Sequence, residues 1–373
     1  MWLDVIIQWI KAFFGTVVFW TGIAGVLLVL ITMIRYRVRR RKNAGKTFQV
    51  SEVRTRTEDA DVAVDLLKTD ASVHLESVRR IALITGASSG IGRAFALRID
   101  QTETEIDEIW LVARRQEKLE ALAGELKHET RIIAADLTEG LGAEAYENPL
   151  TRALAGETES YLDSQKRDFS EETNPKNHVQ IRILVNAAGF AKIGNYAKVS
   201  FQDSMRMIDL NDKAAVAVTL ACLPYMSQGD RIIQMCSTAA FQPLQHINIY
   251  GASKAFLYHY TRALRLELFP RGIMVTAVCP FWVKDTEFIG IAKGDGGLHT
   301  HSGAEPSLAE SKPPIKHFPF ATTAEKVAKR GLRASRAGWA VVTPGAFCVI
   351  HRFFTKLLPR EAAIWIWELM RRV

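Results

Sequence analysis

The sequence predicts an α/β protein built on a doubly wound parallel sheet, with an N-terminal transmembrane helix and a C-terminal amphipathic segment. Three observations support this prediction. Short β-rich runs alternate with helical stretches between residues 78 and 345, a glycine-rich turn follows the first run, and an uncharged apolar stretch lies near the N-terminus. Such alternation of strands and helices is typical of parallel sheets.

The apolar stretch near the N-terminus is residues 12–34, which are 23 consecutive positions without a charged side chain. As a helix they would extend about 34 Å, enough to cross the hydrocarbon of a bilayer. A cleaved signal peptide is the alternative, but its apolar region would be shorter and would not end at a basic cluster. We therefore predict a transmembrane anchor with a basic flank over residues 1–42.

The basic flank, residues 35–42, holds six Arg and Lys side chains, whereas only Lys11 precedes the apolar stretch. The positive-inside rule then predicts a single-pass membrane protein whose remaining chain is cytoplasmic. Much of the net charge of +8 is local to this cluster, which argues against nucleic-acid binding and suits anionic lipid head groups.

Three further segments lie outside the regular alternation. Residues 43–77 are predicted to be a polar linker. Residues 138–180 are longer than one crossover helix needs, which predicts a surface insertion. Residues 346–373 mix large apolar with basic side chains, so they form either a membrane-proximal amphipathic segment or a helix that packs on the domain and covers its pocket.

Seven β-rich runs define the predicted sheet, and in such sheets ligands bind beyond the carboxyl ends of the strands. The four cysteines show neither zinc-ligand nor disulfide spacing, so no metal site is predicted. The runs are residues 81–85, 108–113, 131–135, 181–186, 231–237, 274–279 and 340–343.

The turn after the first run reads TGASSGIG and leads into a predicted helix. Glycine permits a tight turn and a close backbone approach to a pyrophosphate, and the helix N-terminus presents free N–H groups to it. An ordinary glycine-rich loop is the alternative. The candidate contacts in this turn are Gly86, Ser88, Ser89, Gly90, Ile91 and Gly92.

Tyr250 and Lys254 are four residues apart on a predicted helix, so both side chains leave the same face. Such a pair is common on ordinary helices. Here it follows a GxxxGxG turn, Asn186, Asn211 and Ser237 in a fixed order. In these features the chain resembles the classical short-chain dehydrogenase/reductase family.

The resemblance covers residues 78–345 and implies a Rossmann-type catalytic domain. It implies that Tyr250 is the acid/base and that Lys254 binds the nicotinamide ribose, while the ammonium would bring the pKa of the phenol toward working pH. Ser237 would hydrogen-bond the reacting carbonyl oxygen, and Asn211 would help to hold a water that links the lysine to solvent.

The residues after the second run indicate the cofactor. Arg114 and Arg115 stand where a carboxylate would grip the ribose of NAD, and a guanidinium suits a 2′-phosphate. We predict NADP(H) in preference to NAD(H), with Arg114 as the first contact and Arg115 as the second; arginines that only solubilise the surface are the alternative. The resemblance adds Asp136, Leu137, Asn186, Ala187, Tyr250, Lys254, Val283 and Thr286 to the cofactor site.

One departure from the family pattern follows the sixth run. Phe281 stands where the family has glycine, and Asp285 takes the usual threonine place with Thr286 one position later. The path of this loop is therefore open at this point, and its aromatic pair Phe281 and Trp282 could shape an apolar pocket.

These features together predict reduction of a carbonyl, or the reverse oxidation of a secondary alcohol, on a hydrophobic substrate such as a 3-oxoacyl, 3-ketosphingoid or steroid-like lipid. A non-catalytic NADP-binding membrane scaffold or redox sensor is the alternative. A nucleotide-sugar epimerase or dehydratase would need a larger C-terminal domain. The resemblance also implies a homodimer that pairs through the helix carrying Tyr250.

Overall fold

The computed structural model describes residues 78–142, 146–164, 179–293 and 320–372. The predicted anchor over residues 1–42 and the predicted linker over 43–77 lie outside this part of the chain. Within the described residues, no helix has both the length and the apolar character that a membrane span requires.

The strands form one parallel sheet with the order β3-β2-β1-β4-β5-β6-β7. The order reverses between β1 and β4, which places the topological switch point there and confirms the predicted doubly wound sheet. The strands are β1 Arg79–Thr85, β2 Glu108–Ala113, β3 Glu129–Ala134, β4 Val179–Asn186, β5 Arg231–Met235, β6 Met274–Val278 and β7 Val341–Val342.

Each strand overlaps its predicted run, and β5 shows the difference that matters for the site. The prediction extended it to Ser237, but its pairing with β6 ends at Met235 opposite Val278. The N–H of Cys236 then donates to the carbonyl of Gln234 at 3.0 Å, which turns the chain away from the ladder. Ser237 therefore lies in the turn beyond the strand.

Helices follow most strands and cover both faces of the sheet. A π-helix, Asp209–Ala214, separates α4 from α5, and a short 3₁₀-helix, Thr238–Phe241, follows β5. The α-helices are α1 Gly90–Thr102, α2 Gln116–Ala123, α3 Pro149–Ser164, α4 Phe201–Ile208, α5 Ala215–Cys222, α6 Asn248–Glu267, α7 Phe288–Lys293, α8 Ala324–Arg336, α9 Ala346–Leu357 and α10 Arg360–Arg372.

Alternate side chains of the strands feed two separate cores, as the period of two in a strand requires. On one face, Ile84 packs with apolar residues of α1, α2 and α8, such as Phe95 and Val327. On the other face, Leu83 packs with residues of α3, α5 and α6, such as Leu154 and Leu264. The sheet is thus buried on both sides, and the strand ends are where a ligand can enter.

Residues 138–180, which are predicted to contain a surface insertion, also include a helix that belongs to the core. Helix α3 crosses between β3 and β4 and buries Leu150 and Leu154 completely or nearly so beneath the sheet. Residues 143–145 and 165–178 lie outside the described part of the chain.

Candidate active site

A cavity of about 940 Å³ lies at the carboxyl ends of the strands. Its size is within the range of small-molecule and cofactor sites. The phosphate turn lines one end of it, the residues around Tyr250 line the other, and of the predicted site residues only Asn186 and Asn211 are not among its lining residues.

Three glycines give the phosphate turn its shape. Gly86 and Gly90 have φ angles of +68° and +54°, which favour glycine. A Cβ on Gly92 would lie 2.3 Å from the carbonyl oxygen of Gly86, and a Cβ on Gly86 would lie 2.8 Å from the N–H nitrogen of Ala188. The turn is therefore packed against its own backbone and against the turn after β4, as a cradle for a pyrophosphate requires.

The two arginines after β2 have different surroundings. Arg115 Nη2 donates to the hydroxyl oxygens of Ser88 and Ser89 at 3.1 and 2.9 Å, so its guanidinium lies over the phosphate turn. Arg114 instead lies 3.8 Å from the carboxylate of Asp136. Both line the cavity, but the geometry favours Arg115 for a 2′-phosphate, whereas the sequence had put Arg114 first.

Asp136 is held in place by Thr138, two residues later in the chain. Its Oδ1 accepts hydrogen bonds from the N–H and the hydroxyl of Thr138 at 3.0 and 2.8 Å. Burial would raise the pKa of this carboxyl, but the two bonds from Thr138 and the charge of Arg114 outweigh it and lower the pKa. Asp136 lines the cavity together with Leu137, which is buried in the cavity wall.

Ser237, Tyr250 and Lys254 meet at the opposite end of the cavity. The hydroxyl of Ser237 lies near enough to Tyr250 to lower the pKa of its phenol, and the Nζ of Lys254 lies 5.8 Å from the centre of the Tyr250 ring. Lys254 donates to the carbonyl of Met235 at 3.0 Å, which fixes the ammonium beneath the ring. The structure thus brings together the three residues predicted to carry the chemistry.

The electrostatics of this group differ from the expectation. Burial raises the pKa of Tyr250 to about 12, while the nearby hydroxyl of Ser237 lowers it in part. Burial also lowers the pKa of Lys254. Loss of hydration of a phenolate in this enclosed site outweighs any attraction by the ammonium, so the protein residues alone keep the phenol protonated at neutral pH.

Asn211 lies in the π-helix and acts on the backbone of the site. Its side chain accepts from the N–H of Phe190 and donates to the carbonyl of Phe190, both at 3.0 Å, and it also donates to Ser253 Oγ at 3.1 Å. A Cβ on Gly189 would lie 2.8 Å from Asn211 Oδ1 and 3.4 Å from Lys254 Nζ. Asn211 therefore fixes the turn after β4 against the helix that carries Tyr250.

Asn186 does not reach the cavity, which corrects its prediction as a cofactor contact. It is the last residue of β4, and its side chain points into the helix layer, where it donates to Thr219 Oγ1 at 2.9 Å and to the carbonyl of Ala215 at 3.4 Å. Its role is to tie the sheet to α5, while Ala187 next to it lines the cavity as predicted.

The loop after β6 takes a defined path despite its departure from the family pattern. Val283 forms a bridge with Thr322, and Asp285 caps α8 by accepting from the N–H of Ala324 at 2.8 Å. Val283 and Thr286 line the cavity, and their contacts with the cofactor stay a prediction. Phe281, in place of glycine, packs its ring 4.7 Å from that of Phe347 on α9.

The wall beyond Tyr250 is apolar and is partly built by the C-terminal helices. The Phe288 ring packs 5.4 Å from the Tyr250 ring, and Trp367 of α10 donates from its indole to the carbonyl of Gln245 at 3.2 Å. The sequence did not single out most of these residues, because nothing in their spacing marks them as pocket. The wall is formed by Phe190, Leu244, Ile247, Trp282, Phe288, Ile291 and Trp367.

His351 of α9 is the polar side chain that the C-terminal helices add to the cavity. Its Nδ1 is buried and has no hydrogen-bond partner among the described residues. Burial lowers the pKa of the imidazole, so it is neutral near pH 7. The C-terminal helices thus contribute His351 and Trp367 to the lining of the cavity.

Asp212 is a further group that the sequence did not reveal. It follows Asn211 in the π-helix, is 8% exposed, and its Oδ1 has no hydrogen-bond partner among the described residues. Burial raises the pKa of this carboxyl to about 7, and the charge of Lys254 lowers it in part. A buried carboxyl that changes charge near neutrality therefore lies near the catalytic lysine.

Relatives of this chain fall in one family. The family model described as short chain dehydrogenase matches residues 80–154 and 162–292, more than half of the chain. A serine 3-dehydrogenase from Agrobacterium fabrum is 32% identical over 237 residues, which are 61% of this chain and 82% of that protein. An NADP-dependent 3-hydroxy acid dehydrogenase from Salmonella typhimurium is 33% identical over 219 residues, 58% of this chain and 77% of that protein.

Solved structures agree with the sheet and its helices. A short-chain dehydrogenase from Sphingobium yanoikuyae in complex with NADPH superimposes with a TM-score of 0.53 at 26% identity, over 76% of this chain and 94% of that one. A short-chain dehydrogenase from Streptomyces avermitilis gives a TM-score of 0.57 at 22% identity, over 79% and 98%, and shows the same fold. With the matching family model and the assembled Ser237, Tyr250 and Lys254, these findings establish that the chain belongs to the short-chain dehydrogenase/reductase family and is a dehydrogenase/reductase.

Proposed function

We propose that this protein uses NADPH to reduce a carbonyl carbon of a hydrophobic small molecule, or NADP⁺ to oxidise the corresponding secondary alcohol. The observation that carries the proposal is the convergence of Ser237, Tyr250 and Lys254 in one cavity, between a phosphate cradle and an apolar wall. The nicotinamide cofactor would supply or accept the hydride.

The chain's own residues account for the proton and for orientation. In reduction, Ser237 and Tyr250 donate hydrogen bonds to the carbonyl oxygen, which stabilises the negative charge that grows there. Tyr250, protonated at neutral pH, then transfers its proton to that oxygen as the C–H bond forms. Lys254, fixed by the carbonyl of Met235, holds positive charge beside the resulting phenolate.

NADP(H) in preference to NAD(H) is supported by residues and by relatives. Arg115, Ser88 and Ser89 form a cationic, hydroxyl-lined corner beside the phosphate turn, which suits a 2′-phosphate. The relative from Salmonella is named as NADP-dependent, and the Sphingobium structure contains NADPH. A carboxylate from the residues after β2, which would suit a ribose 2′-hydroxyl, is absent at positions 114 and 115.

The proposed substrates are long-chain 3-oxoacyl compounds, 3-ketosphingoid bases or steroid-like ketones. The aromatic and aliphatic wall around Tyr250 supports an apolar body next to the reacting carbonyl. The single buried imidazole of His351 among the C-terminal lining residues offers one hydrogen bond to a second polar group.

The proposed location is a membrane, with one span at residues 12–34 and a cytoplasmic catalytic domain. The apolar length of that segment and its basic flank support this location. The C-terminal helices add exposed apolar side chains, among them Phe353 at 59%, Leu357 at 64% and Trp365 at 70% exposure. Basic residues beside them, such as Arg352 and Lys356, suit a lipid interface.

We also propose that two copies pair through α6, the helix that carries Tyr250. Phe256 and Leu266 on this helix are 50% and 72% exposed, which supports an apolar contact there.

NADPH oxidation tests the function directly. The full chain in detergent is mixed with NADPH and a panel of 3-oxoacyl, 3-ketosphingoid and steroid ketones, with a small polar keto acid as comparison. We expect turnover with a hydrophobic ketone, and a fall of about 10²–10⁴-fold in kcat for Tyr250→Phe, because that variant lacks the proton donor.

NADPH binding separates chemistry from folding in this experiment, and Tyr258→Phe on the same helix serves as the matched control. Tyr250→Phe should bind NADPH while losing turnover, and Tyr258→Phe should keep both. Full turnover in Tyr250→Phe would exclude Tyr250 as the acid. NADPH binding with no turnover on any carbonyl would favour the scaffold or redox sensor.

A further inference from the structure

Glu287 connects the two ends of the cavity. It lies between Thr286 and α7, and its carboxylate accepts hydrogen bonds from Arg115 Nη1 at 2.8 Å and from Lys118 Nζ at 2.5 Å. The distance to Arg115 is typical of a charge-assisted hydrogen bond. An acidic side chain from the loop after β6 thus binds the cations that follow β2.

Arg115 has both of its terminal nitrogens engaged. Nη1 is bound to Glu287, and Nη2 donates to the hydroxyls of Ser88 and Ser89. A phosphate that accepts hydrogen bonds from both terminal nitrogens of Arg115 would lie beside the carboxylate of Glu287, which already occupies Nη1. The two negative charges would repel each other there.

We propose that Glu287 competes with the ribose 2′-phosphate of NADP(H) for Arg115 and Lys118, and so tunes how strongly the protein distinguishes NADP(H) from NAD(H). This inference rests on the proposed cofactor. The side chains of Arg115, Lys118 and Glu287 are 38–41% exposed, so one anion can replace the other without burying a new charge.

Protonation does not relieve this competition. Hydrogen bonds from Lys118 and Arg115 lower the pKa of Glu287 to about 2, so the carboxylate stays charged throughout the pH range of an assay. Only a stronger anion or a conformational change can free the two cations.

The exchange also reaches the substrate end of the cavity. Phe288, next to Glu287, begins α7 and packs on the ring of Tyr250. A 2′-phosphate that displaces Glu287 releases this segment from Arg115, whereas a cofactor without that phosphate leaves the ion pairs in place. In this proposal, binding of the 2′-phosphate therefore changes how the segment that packs on Tyr250 is held.

The test measures binding of two adenosine nucleotides by calorimetry, without a reaction. We expect Glu287→Gln to bind 2′,5′-ADP about three- to thirtyfold more tightly than the wild-type chain, since up to two exposed ion pairs no longer compete. The affinity for 5′-AMP, which has no 2′-phosphate, should not change. Glu117→Gln removes the same charge one residue from Lys118 and should leave both affinities unaltered.

An unchanged or weaker affinity of Glu287→Gln for 2′,5′-ADP would overturn the competition, and Glu287→Ala provides a second variant should the first fail to fold. Failure of the proposed cofactor looks different. In that case neither the wild type nor Glu287→Gln would prefer 2′,5′-ADP to 5′-AMP.

Discussion

Tyr250 is subject to two opposing influences, and their balance sets the pKa of its phenol. Burial, which raises this pKa to about 12, acts more strongly than the nearby hydroxyl of Ser237, which lowers it. The phenol is therefore protonated at neutral pH, which is the form that can donate a proton.

Asp212 makes stability depend on pH, with a sign that follows from its raised pKa. In the unfolded chain the carboxyl ionises near 3.8, and in the folded chain near 7. The contribution of this carboxyl to stability is therefore fully present below about pH 4 and is lost as the pH rises through 7. The loss arises because the unfolded chain releases this proton more readily than the folded chain does. Asp212→Asn cannot ionise and should escape this loss.

We expect the stability advantage of Asp212→Asn over the wild type to grow by roughly 2–3 kcal/mol between pH 5 and pH 8. Chemical denaturation at a series of pH values measures it. Asp209→Asn is the matched control, because Asp209 lies on the same π-helix but pairs with Lys213 at 2.7 Å and is 33% exposed. Parallel pH curves for Asp212→Asn and the wild type would show that this carboxyl is not buried as described.

Individual residues were predictable where a motif fixes both identity and position. Tyr250, Lys254 and Ser237 converge because a helical turn and a strand end determine their directions. The choice between Arg114 and Arg115 was not determined by the sequence, because adjacent residues after a strand point in different directions and only the turn decides which faces the cradle. Asp212 and Glu287 belong to no periodic pattern, and their roles come from tertiary contacts.

Among the elements, the strands were the most predictable, since their apolar runs are buried on both faces. The ends of the strands were less predictable, as β5 shows, because a hydrogen bond from Cys236 turns the chain away from the ladder. The π-helix left no sequence signal beyond a polar interruption at Asn211. Its backbone differs from a regular helix by one residue, which composition does not encode.

An ion cluster joins three elements at the amino ends of the strands, whereas the cavity lies at their carboxyl ends. Glu103, at the end of α1, accepts two hydrogen bonds from Arg231 at the start of β5, at 2.8 and 3.2 Å, and one from Arg336 at the end of α8, at 2.9 Å. The side chains of Glu103 and Arg231 are 4% and 7% exposed. Removal of Glu103 would leave the buried guanidinium of Arg231 with, among the described residues, only the exposed carboxylate of Glu105, 3.5 Å away.

We expect Glu103→Gln to lower the free energy of unfolding by about 3 kcal/mol or more. Denaturation followed by tryptophan fluorescence measures it. Glu105→Gln is the matched control, because the Glu105 side chain is 45% exposed and should change stability by less than about 1 kcal/mol. Equal effects of the two variants would contradict a structural role for burial at Glu103, and NADPH affinity should be unaltered in both.

At the scale of the whole molecule, the C-terminal helices have two distinct faces, where the sequence presented two alternative roles. Trp367 and His351 face the cavity, while Phe353, Leu357 and Trp365 face outward. An amphipathic pattern shows that a helix has two faces but not what each one meets, so only the packing of α9 and α10 separates these roles. The proposed anchor lies outside the described residues and stays a prediction.

Membrane extraction tests the anchor. We expect the full chain to remain in the membrane pellet after alkaline carbonate and after high salt, because a single span is held by apolar burial and not by charge. Protease added to the cytoplasmic side of sealed vesicles should digest the catalytic domain, while protease added to the other side should not. Release by carbonate would contradict a span at residues 12–34 and leave the exposed face of the C-terminal helices as the means of attachment.

The π-helix, Asp209–Ala214, sets the rotational phase between the helical segments on its two sides. Each residue of a regular helix turns the chain by about 100°, so deletion of one position here would swing α5 round by that angle. Val218 and Cys222, now almost fully enclosed against the sheet, would then point elsewhere. The length of this π-helix thus determines both which residues of α5 face the core and the inward direction of Asn211.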